Sequence, residues 1–452
     1  MRIEGGALRI APLKAATPEE ANAVAEALYG ALPGVRVTDL LADVDRWTGF
    51  SEAFTHLHTG LPAEERRIVM TAVLADATNL GLTRMAEACS VASHRQLAWT
   101  AGWHPREDTY RRALARVVKA QQARPRARAF GAGTSSSSDG QHFQVGGAGE
   151  AVGAVNRHLG REPTVGFYTH VSDRYAPFHT AVLAGSAGEA AHVIDGLLYH
   201  EADLDISVHH TDGGGVSDHV FGLAHVLGFR FAPRIPNIAE RRLHAFDAPE
   251  RWPALAPLIG GRVDEALIAA HYDDVLRLAA SVRTGAASAS LMLKRLGAYP
   301  RQNGLALALR EIGRIERTLW TLDWVEEPRL RRQATVELNK GESRNALARA
   351  VCFHRLGRLR DRSHEGQRHR ASGLALVTAA IVLWNTVYLE RALGAMARIG
   401  REVDQALLPH LAPLGWQHIN LTGDYLWSDM TPLDSDGFRP LQRLNPVRAV
   451  AA

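Results

Sequence analysis

The feature that most constrains the fold is a change of sequence pattern over residues 126–236. Three strand-like segments follow one another there, separated by turn residues, and are succeeded by a helical run, a fourth strand, a second helix and a fifth strand. This order of elements predicts an α/β fold, a mixed sheet with flanking helices.

Helical patterns lie on both sides of this region. Thr17 and Glu20 have the spacing of a capping box at the start of an early helix. Residues 82–103 predict two helices around a short turn, loosely like a DNA-binding helix-turn-helix, although ordinary antiparallel core helices are the favoured interpretation. The sequence thus predicts four regions: a helical N-terminal region (1–125), the strand-rich first part of the core (126–236), a second helical region (237–335), and a core helix with a helical C-terminal region (336–452).

The composition is that of a folded chain, with 46% hydrophobic and 22% charged residues, which argues against general disorder. Two cysteines, Cys89 and Cys352, are too few for a disulfide framework or a cysteine-based zinc site. We therefore expect a reducing, cytoplasmic compartment. The longest apolar stretch, residues 373–389, is interrupted by polar residues and is short for a bilayer. It predicts a buried helix, so no membrane partner is expected.

Basic residues are concentrated in two segments. Residues 111–128 hold seven basic and no acidic residues, and residues 340–370 hold nine basic against three acidic residues, an excess larger than the net charge of +4 of the whole chain. Such concentration is typical of a surface that binds a polyanion. The alternative is a pair of solvated helix faces whose charge is neutralised by acidic neighbours in the fold. Charge alone leaves both interpretations open.

Three carboxylates occupy positions where a ligand site is expected. Asp139 lies in the first strand, Asp212 follows a β-branched strand and precedes three glycines, and Glu342 lies in the basic helix predicted over residues 338–360. In open α/β sheets, ligands bind outside strand ends, and converging carboxylates can hold two hard cations. Two such cations would stabilise the attacking and leaving oxygens of a phosphoryl transfer. The alternative for each aspartate alone is to cap a turn or a helix.

Together these segments resemble the catalytic region of Tn-three family transposases. The resemblance rests on GTSSSSDGQHF, HHTDGGGVSDHVFGLAHVLGFRFAPRI and LNKGESRNALARAVCFHRLGRLRDRS, and it continues through RASGLALVTAAIVLWNTVYLERAL and LAPLGWQHINLTGDY. It covers nearly the whole chain. It implies an RNase H-like core, in which residues 237–335 are a helical insertion between the last core strand and the helix that carries the catalytic glutamate.

Position by position, Asp139, Asp212 and Glu342 match the family's Asp-Asp-Glu triad. The resemblance implies two Mg²⁺ ions, replaceable by Mn²⁺, with Asp139 bridging both. It also implies cleavage at the 3′ ends of a transposon and attack of the freed 3′-OH on target DNA, in the replicative, cointegrate-forming mode. For contact with the double-stranded DNA we predict Lys340, Arg344, Arg349, Arg355 and Arg358.

Members of this family carry a large N-terminal region that recognises the terminal inverted repeats, and no part of this chain resembles it. We therefore expect a truncated C-terminal portion that acts as a homodimer on DNA, associated with the nucleoid in a bacterial cytoplasm. The alternative is a catalytically silent DNA-binding remnant that interferes with a full-length transposase. A hydrolase unrelated to DNA is disfavoured by the basic segments and the density of motifs.

Overall fold

The structure is a computed structural model that describes residues 2–4, 7–13, 18–146, 163–184, 188–298, 303–360, 363–428 and 432–443. Thr17, predicted to cap the first helix, lies outside the described residues. Cys89 and Cys352 are both free thiols.

The chain begins with helices and a few very short strands. The segment predicted as two helices around a turn does form two helices, and each contributes a buried apolar side chain, Met85 and Leu97, to the same core. The second helix begins with a capping box between Ser93 and Gln96. The elements are β1 (Arg2–Glu4), β2 (Ala7–Arg9), α1 (Glu20–Ala31), β3 (Val35–Arg36), α2 (Val37–Thr48), α3 (Arg66–Ala77), α4 (Leu82–Ala88), α5 (His94–Trp103) and α6 (Glu107–Gln122).

A five-stranded mixed sheet follows, with the predicted order of three strands, helix, strand, helix and strand. Its elements are β4 (Ser135–Gln144), β5 (Thr164–Ser172), β6 (Pro177–Ala184), α7 (Val193–Leu198), β7 (Val208–Thr211), α8 (Asp218–Val226) and β8 (Arg230–Phe231). The spatial order is β6-β5-β4-β7-β8; β4, β5 and β6 pair antiparallel, whereas β7 pairs parallel with β4 and β8 parallel with β7. The predicted α/β class with a mixed sheet is confirmed.

The rest of the chain is mainly helical. The helix that carries Glu342 begins at Pro328 and ends at Val351, so it starts earlier and stops sooner than the predicted 338–360. It ends where Cys352 leaves the helical conformation, with ψ 51°, and it cannot resume before residue 360 because Arg355 and Leu356 both adopt left-handed backbone conformations. The elements are β9 (Leu243–Ala245), β10 (Ile259–Arg262), α9 (Glu265–Arg283), α10 (Ala289–Ala298), α11 (Gly304–Glu326), α12 (Pro328–Val351), α13 (His364–Arg398) and β11 (Ile419–Asn420).

Helices cover both faces of the sheet. On one face α12 crosses β4, and the apolar core extends through Phe143 and Phe167 to α6 and α13. On the other face Tyr168 packs with residues of α8 and α11. Glycine makes the packing of these two helices close, because a Cβ on Gly222 would lie 2.4 Å from a backbone carbonyl oxygen of α11.

Helix α13 contains the apolar stretch predicted as a buried helix. It is long and apolar enough to cross a membrane by length and composition, but 94% of its most apolar window is buried inside the protein. Burial on all sides is the property of a central core helix. The prediction of a buried helix over residues 373–389 is therefore confirmed.

Candidate active site

The sheet brings Asp139 and Asp212 next to each other. In the parallel pair of β4 and β7, Ser138 lies opposite Thr211, and each aspartate is the next residue along its strand. Neighbouring strands are about 4.8 Å apart, so the two carboxylates start from adjacent backbone positions. Asp212 stands at the end of β7, where its Oδ1 accepts a hydrogen bond of 2.8 Å from the Gly214 N–H. It thus also has the turn-capping role that the sequence left open.

Strand β4 is polar, but its buried hydroxyl groups have partners. Ser136 and Ser138 each make a 2.8 Å hydrogen bond to a different ring nitrogen of His209. Ser137, on the opposite face, donates to the Glu337 carbonyl oxygen of α12 at 2.9 Å. These bonds explain how a run of serines forms a central strand, because buried polar groups cost little when they are hydrogen-bonded.

Helix α12 lies over the same strand and brings Glu342 to it. At Gly341 the helix is in contact with the strand, since an added Cβ would lie 4.0 Å from the Cβ of Asp139, an ordinary van der Waals distance. One turn later, the Asn345 amide donates a 2.8 Å hydrogen bond to Asp139 Oδ2. The Glu342 side chain, next to Gly341, is exposed. Asn345 was not predicted from sequence; its spacing of three residues from Glu342 would have placed it on a neighbouring helix position.

The electrostatics of Asp139 reflect crowding by like charges. Burial, followed by repulsion from Asp212 and more weakly from Glu342, raises the pKa of Asp139 to about 6. Hydrogen bonds from the Gly140 N–H and from Asn345 act in the opposite direction. The influence of both other carboxylates on this pKa puts all three predicted triad members in one electrostatic neighbourhood.

A fourth carboxylate, Glu189, lies in the same neighbourhood and was missed in the sequence. It precedes α7. A Cβ added to Gly140 would lie 2.0 Å from the Glu189 Oε1, so the carboxylate fills space that a side chain at Gly140 would need. Burial, then repulsion from Asp139 and Asp212, raises the pKa of Glu189 to about 7. The sequence signal for it is weak: Glu189 is one acidic residue in a helical run, and only Gly140, next to Asp139, indicates a close approach to β4.

The donor set suits a hard divalent cation, but the side chains do not form a compact cage. Within the described ranges, no three His, Cys, Asp or Glu side chains are close enough together to form a ready metal site. Nevertheless, none of the four carboxylates forms an ion pair with a basic residue in the described part of the chain; the four are Asp139, Glu189, Asp212 and Glu342. Oxygen donors that repel one another and lack a protein cation fit Mg²⁺ or Mn²⁺.

Two of the residues predicted to contact DNA are buried. The Lys340 ammonium donates to the carbonyl oxygens of Phe130 and Asp173 and to the Glu337 carboxylate. Arg344 is 1% exposed, and its guanidinium donates to the Asn345 side-chain oxygen. The predicted DNA contacts of Lys340 and Arg344 do not agree with this burial. Their charges were predicted to face solvent because sequence shows the charge of a helix but not which face is covered.

The other three predicted DNA contacts lie nearer the surface. Arg349, in the last turn of α12, and Arg358 are exposed, and Arg355 is partly exposed. Burial and repulsion from Arg360 and other arginines lower the pKa of Arg355. A group of like charges at the surface favours an anionic partner.

The first basic segment, residues 111–128, is largely neutralised by the fold. Most of its basic side chains form ion pairs with acidic residues that are distant in sequence, such as Arg116 with Glu52 at 3.2 Å and Arg124 with Glu390 at 2.8 Å. Arg126 is buried. For this segment the structure agrees with the alternative of a helix face with acidic neighbours.

Comparison with known proteins gives a consistent assignment. The family described as "Tn3 transposase DDE domain" matches residues 39–425. The chain is 54% identical over 435 residues to the transposase for transposon Tn501 of Pseudomonas aeruginosa and 53% identical over 440 residues to the transposase for transposon Tn21 of Escherichia coli. It is 41% identical over 442 residues to the transposase for transposon Tn1546 of Enterococcus faecium.

These alignments cover 96% or 97% of this chain and 44% of each relative, so the chain spans less than half the length of the relatives it matches. The match runs through the sheet, α12 and α13, which hold the segments on which the resemblance was based. The resemblance is confirmed, and the chain belongs to the Tn3 transposase family.

Proposed function

We propose that this chain is the catalytic portion of a DNA transposase, which cleaves the 3′ ends of a transposon and joins them to target DNA. The observation that carries the proposal is the adjacency of Asp139 and Asp212 on parallel strands, with the helix of Glu342 packed over them. The membership in the Tn3 transposase family supports the same chemistry. The replicative, cointegrate-forming mode is part of the proposal because it is the mode the resemblance implies.

The proposed fold of the core is RNase H-like. The order β6-β5-β4-β7-β8, with an antiparallel β4–β5–β6 meander and a parallel β4–β7–β8 half, supports it. In this proposal α9, α10 and α11 are an insertion between β8 and α12. The proposed regions otherwise keep the boundaries predicted from sequence, except that the helix of Glu342 begins at Pro328.

Divalent cations, Mg²⁺ or Mn²⁺, would be held by Asp139, Asp212 and Glu342. When bound, they would supply Lewis-acid activation of the attacking oxygen and neutralise the charge that develops on the phosphoryl group. The chain's own residues hold the carboxylates in position. Asn345 orients the Asp139 carboxylate, the Gly214 N–H orients Asp212, and α12 places Glu342 on the helix that contacts β4 at Gly341.

The proposed DNA partner would lie against the exposed arginines that follow Glu342. Arg349, Arg355 and Arg358 can neutralise backbone phosphates on one side of the carboxylates, which supports binding to DNA without sequence readout. A homodimer on DNA, pairing with a full-length transposase and a cytoplasmic, nucleoid-associated location remain parts of this proposal.

Incubation of the purified chain with supercoiled plasmid in Mg²⁺ or Mn²⁺ tests the proposal. Nicking or strand transfer is expected for the wild type and is expected to fall to background in Asp139→Ala and Glu342→Ala. Glu240→Ala is the matched control, because Glu240 is an exposed carboxylate in a turn. It is expected to keep wild-type activity.

A gel shift on the same proteins separates catalysis from binding. DNA retention by all variants, with no metal-dependent nicking by the wild type, would contradict the proposed catalysis. It would instead support the DNA-binding remnant that interferes with an intact transposase.

A further inference from the structure

Glu189 approaches the middle of β4 from the face opposite α12. Successive residues of a strand point to opposite faces, and Asp139 faces α12, where Asn345 binds it. The Glu189 carboxylate lies instead beside the position that a Cβ of Gly140, the next residue, would take. The part of β4 that carries Asp139 therefore has the helix of Glu342 on one face and Glu189 on the other.

Gly140 makes room for this carboxylate, and Gly214 lies beside it. A Cβ on Gly140 would lie 2.0 Å from Glu189 Oε1, a distance at which the side chain would have to move. A Cβ on Gly214 would lie 3.6 Å from Glu189 Oε2 and 3.3 Å from Asp212 Oδ1. The carboxylates of Glu189 and Asp212 thus border the same small space, between the middle of β4 and the loop after β7.

Glu189 has no counter-charge in the part of the chain that the structure describes. Its carboxylate forms no hydrogen bond and no ion pair there, although the side chain is only partly exposed. A half-buried carboxylate beside two others is unfavourable unless a cation compensates it. Two divalent cations carry four positive charges, whereas Asp139, Asp212 and Glu342 supply three negative ones. Glu189 supplies the fourth.

We propose that Glu189 is a fourth ligand of the divalent cations at this site, bound directly or through one water, on the side of the sheet opposite Glu342. The inference rests on the proposed function, since it presumes a metal site at Asp139 and Asp212. Gly140 is then a positioning residue, because it leaves the space that the carboxylate occupies.

Titration of the purified full chain with Mn²⁺ alone, with free Mn²⁺ measured by electron paramagnetic resonance, tests the inference without DNA or turnover. Glu189→Gln keeps the shape of the side chain but removes its charge, and we expect it to weaken Mn²⁺ affinity by about tenfold or more. Asp139→Ala is expected to weaken it further. Glu240→Gln, a change of an exposed carboxylate, is expected to leave the affinity unchanged.

A second variant keeps the charge of Glu189 but fills the space that its carboxylate occupies. Gly140→Ala introduces a Cβ that displaces the Glu189 carboxylate, so it too is expected to weaken Mn²⁺ affinity while thermal melting in EDTA shows a folded chain. A purely structural role of Glu189 would change melting but not Mn²⁺ affinity in Glu189→Gln.

The outcomes separate the two proposals. Wild-type Mn²⁺ affinity in Glu189→Gln, together with a clear loss in Asp139→Ala, would overturn the role of Glu189 and leave the metal site of the proposed function intact. Wild-type affinity in Asp139→Ala would overturn that metal site, and the inference with it.

Discussion

Helices α12 and α13 both cross the interior of the molecule, but they bury opposite kinds of side chain. α13 buries mainly apolar side chains, including Trp384, whose ring stacks on Tyr388 with centroids 3.8 Å apart, and only a minority of polar ones such as Asn385. α12 buries charge: Glu337, Lys340 and Arg344 are each less than a tenth exposed. The two helices are therefore held in place mainly by different interactions, apolar packing for α13 and hydrogen bonds and an ion pair of buried charged groups for α12.

The difference determines what each helix can position. Apolar contacts are non-directional, so α13 can be stabilised by any neighbour of suitable shape. A buried charge needs specific partners, and those of Lys340 come from Phe130, before β4, and Asp173, just after β5, at the same end of the sheet. Because these bonds fix α12 along β4, they also fix the separation of Glu342 from Asp139. The polar helix is thus the one suited to carry a catalytic group.

Truncation of a buried side chain at the centre of α13 is expected to have the largest effect on stability. Trp384→Ala removes a fully buried ring and its hydrogen bond to Asp43, and should lower the free energy of unfolding by about 3–5 kcal/mol. Chemical denaturation followed by tryptophan-independent circular dichroism measures it. Ile399→Ala, just beyond α13 and 57% exposed, is the control and should cost less than about 0.5 kcal/mol. Equal costs for both variants would contradict the central role of α13.

Removal of the buried ammonium is expected to cost slightly less, by a different mechanism. Lys340→Ala leaves the Glu337 carboxylate buried without its 3.0 Å partner, and should cost about 3 kcal/mol. Replacing both members, as Lys340→Met with Glu337→Met, removes the unpaired charge, so the double variant should be more stable than the single one. Denaturation midpoints of the three proteins test this. A double variant less stable than Lys340→Ala would show that the pair itself, rather than the unpaired charge, determines the cost.

The same two helices show what sequence could and could not predict. The burial of α13 was predictable because an apolar stretch interrupted by few polar residues has no stable alternative in water. The order of strands and helices in the sheet was predictable because turn residues separate the segments. For α12 the sequence indicates the charge of Lys340 and Arg344 correctly but not their environment, which depends on Phe130, Asp173 and Asn345.

The residues of the carboxylate site also differ in whether the sequence could predict them. Asp139, Asp212 and Glu342 could be predicted because they stand within distinctive motifs, and the register of β4 with β7 brings the two aspartates together. Glu189 could not, because its position depends on the path of the chain after β6 and on the missing side chain of Gly140. Proximity between residues distant in sequence follows from tertiary packing, which local patterns do not encode.

The smallest expected effect concerns Asp139, the carboxylate that lies against the polar helix α12, and it is a gain of stability. The pKa of Asp139 is about 6 in the folded chain and near 3.8 when it is unperturbed. A carboxyl whose pKa is raised by folding contributes most to stability below pH 4, and that contribution is lost as the pH rises through 6. In metal-free buffer at pH 7.5, Asp139→Asn should therefore stabilise the chain by roughly 1–2 kcal/mol. The difference in the free energy of unfolding between Asp139→Asn and the wild type should narrow as the pH falls from 7.5 towards 5.

Using the difference between the two proteins cancels the contribution of buried histidines such as His209, whose pKa is lowered by burial. Asp203→Asn, on an exposed carboxylate paired with Lys119, should give no such pH-dependent gain. Added Mg²⁺ should stabilise the wild type more than Asp139→Asn and so reduce or reverse the gap. A variant less stable than wild type at pH 7.5 without metal would mean that Asp139 is well compensated within the fold, and that this site does not carry the unfavourable charge which a divalent cation would relieve.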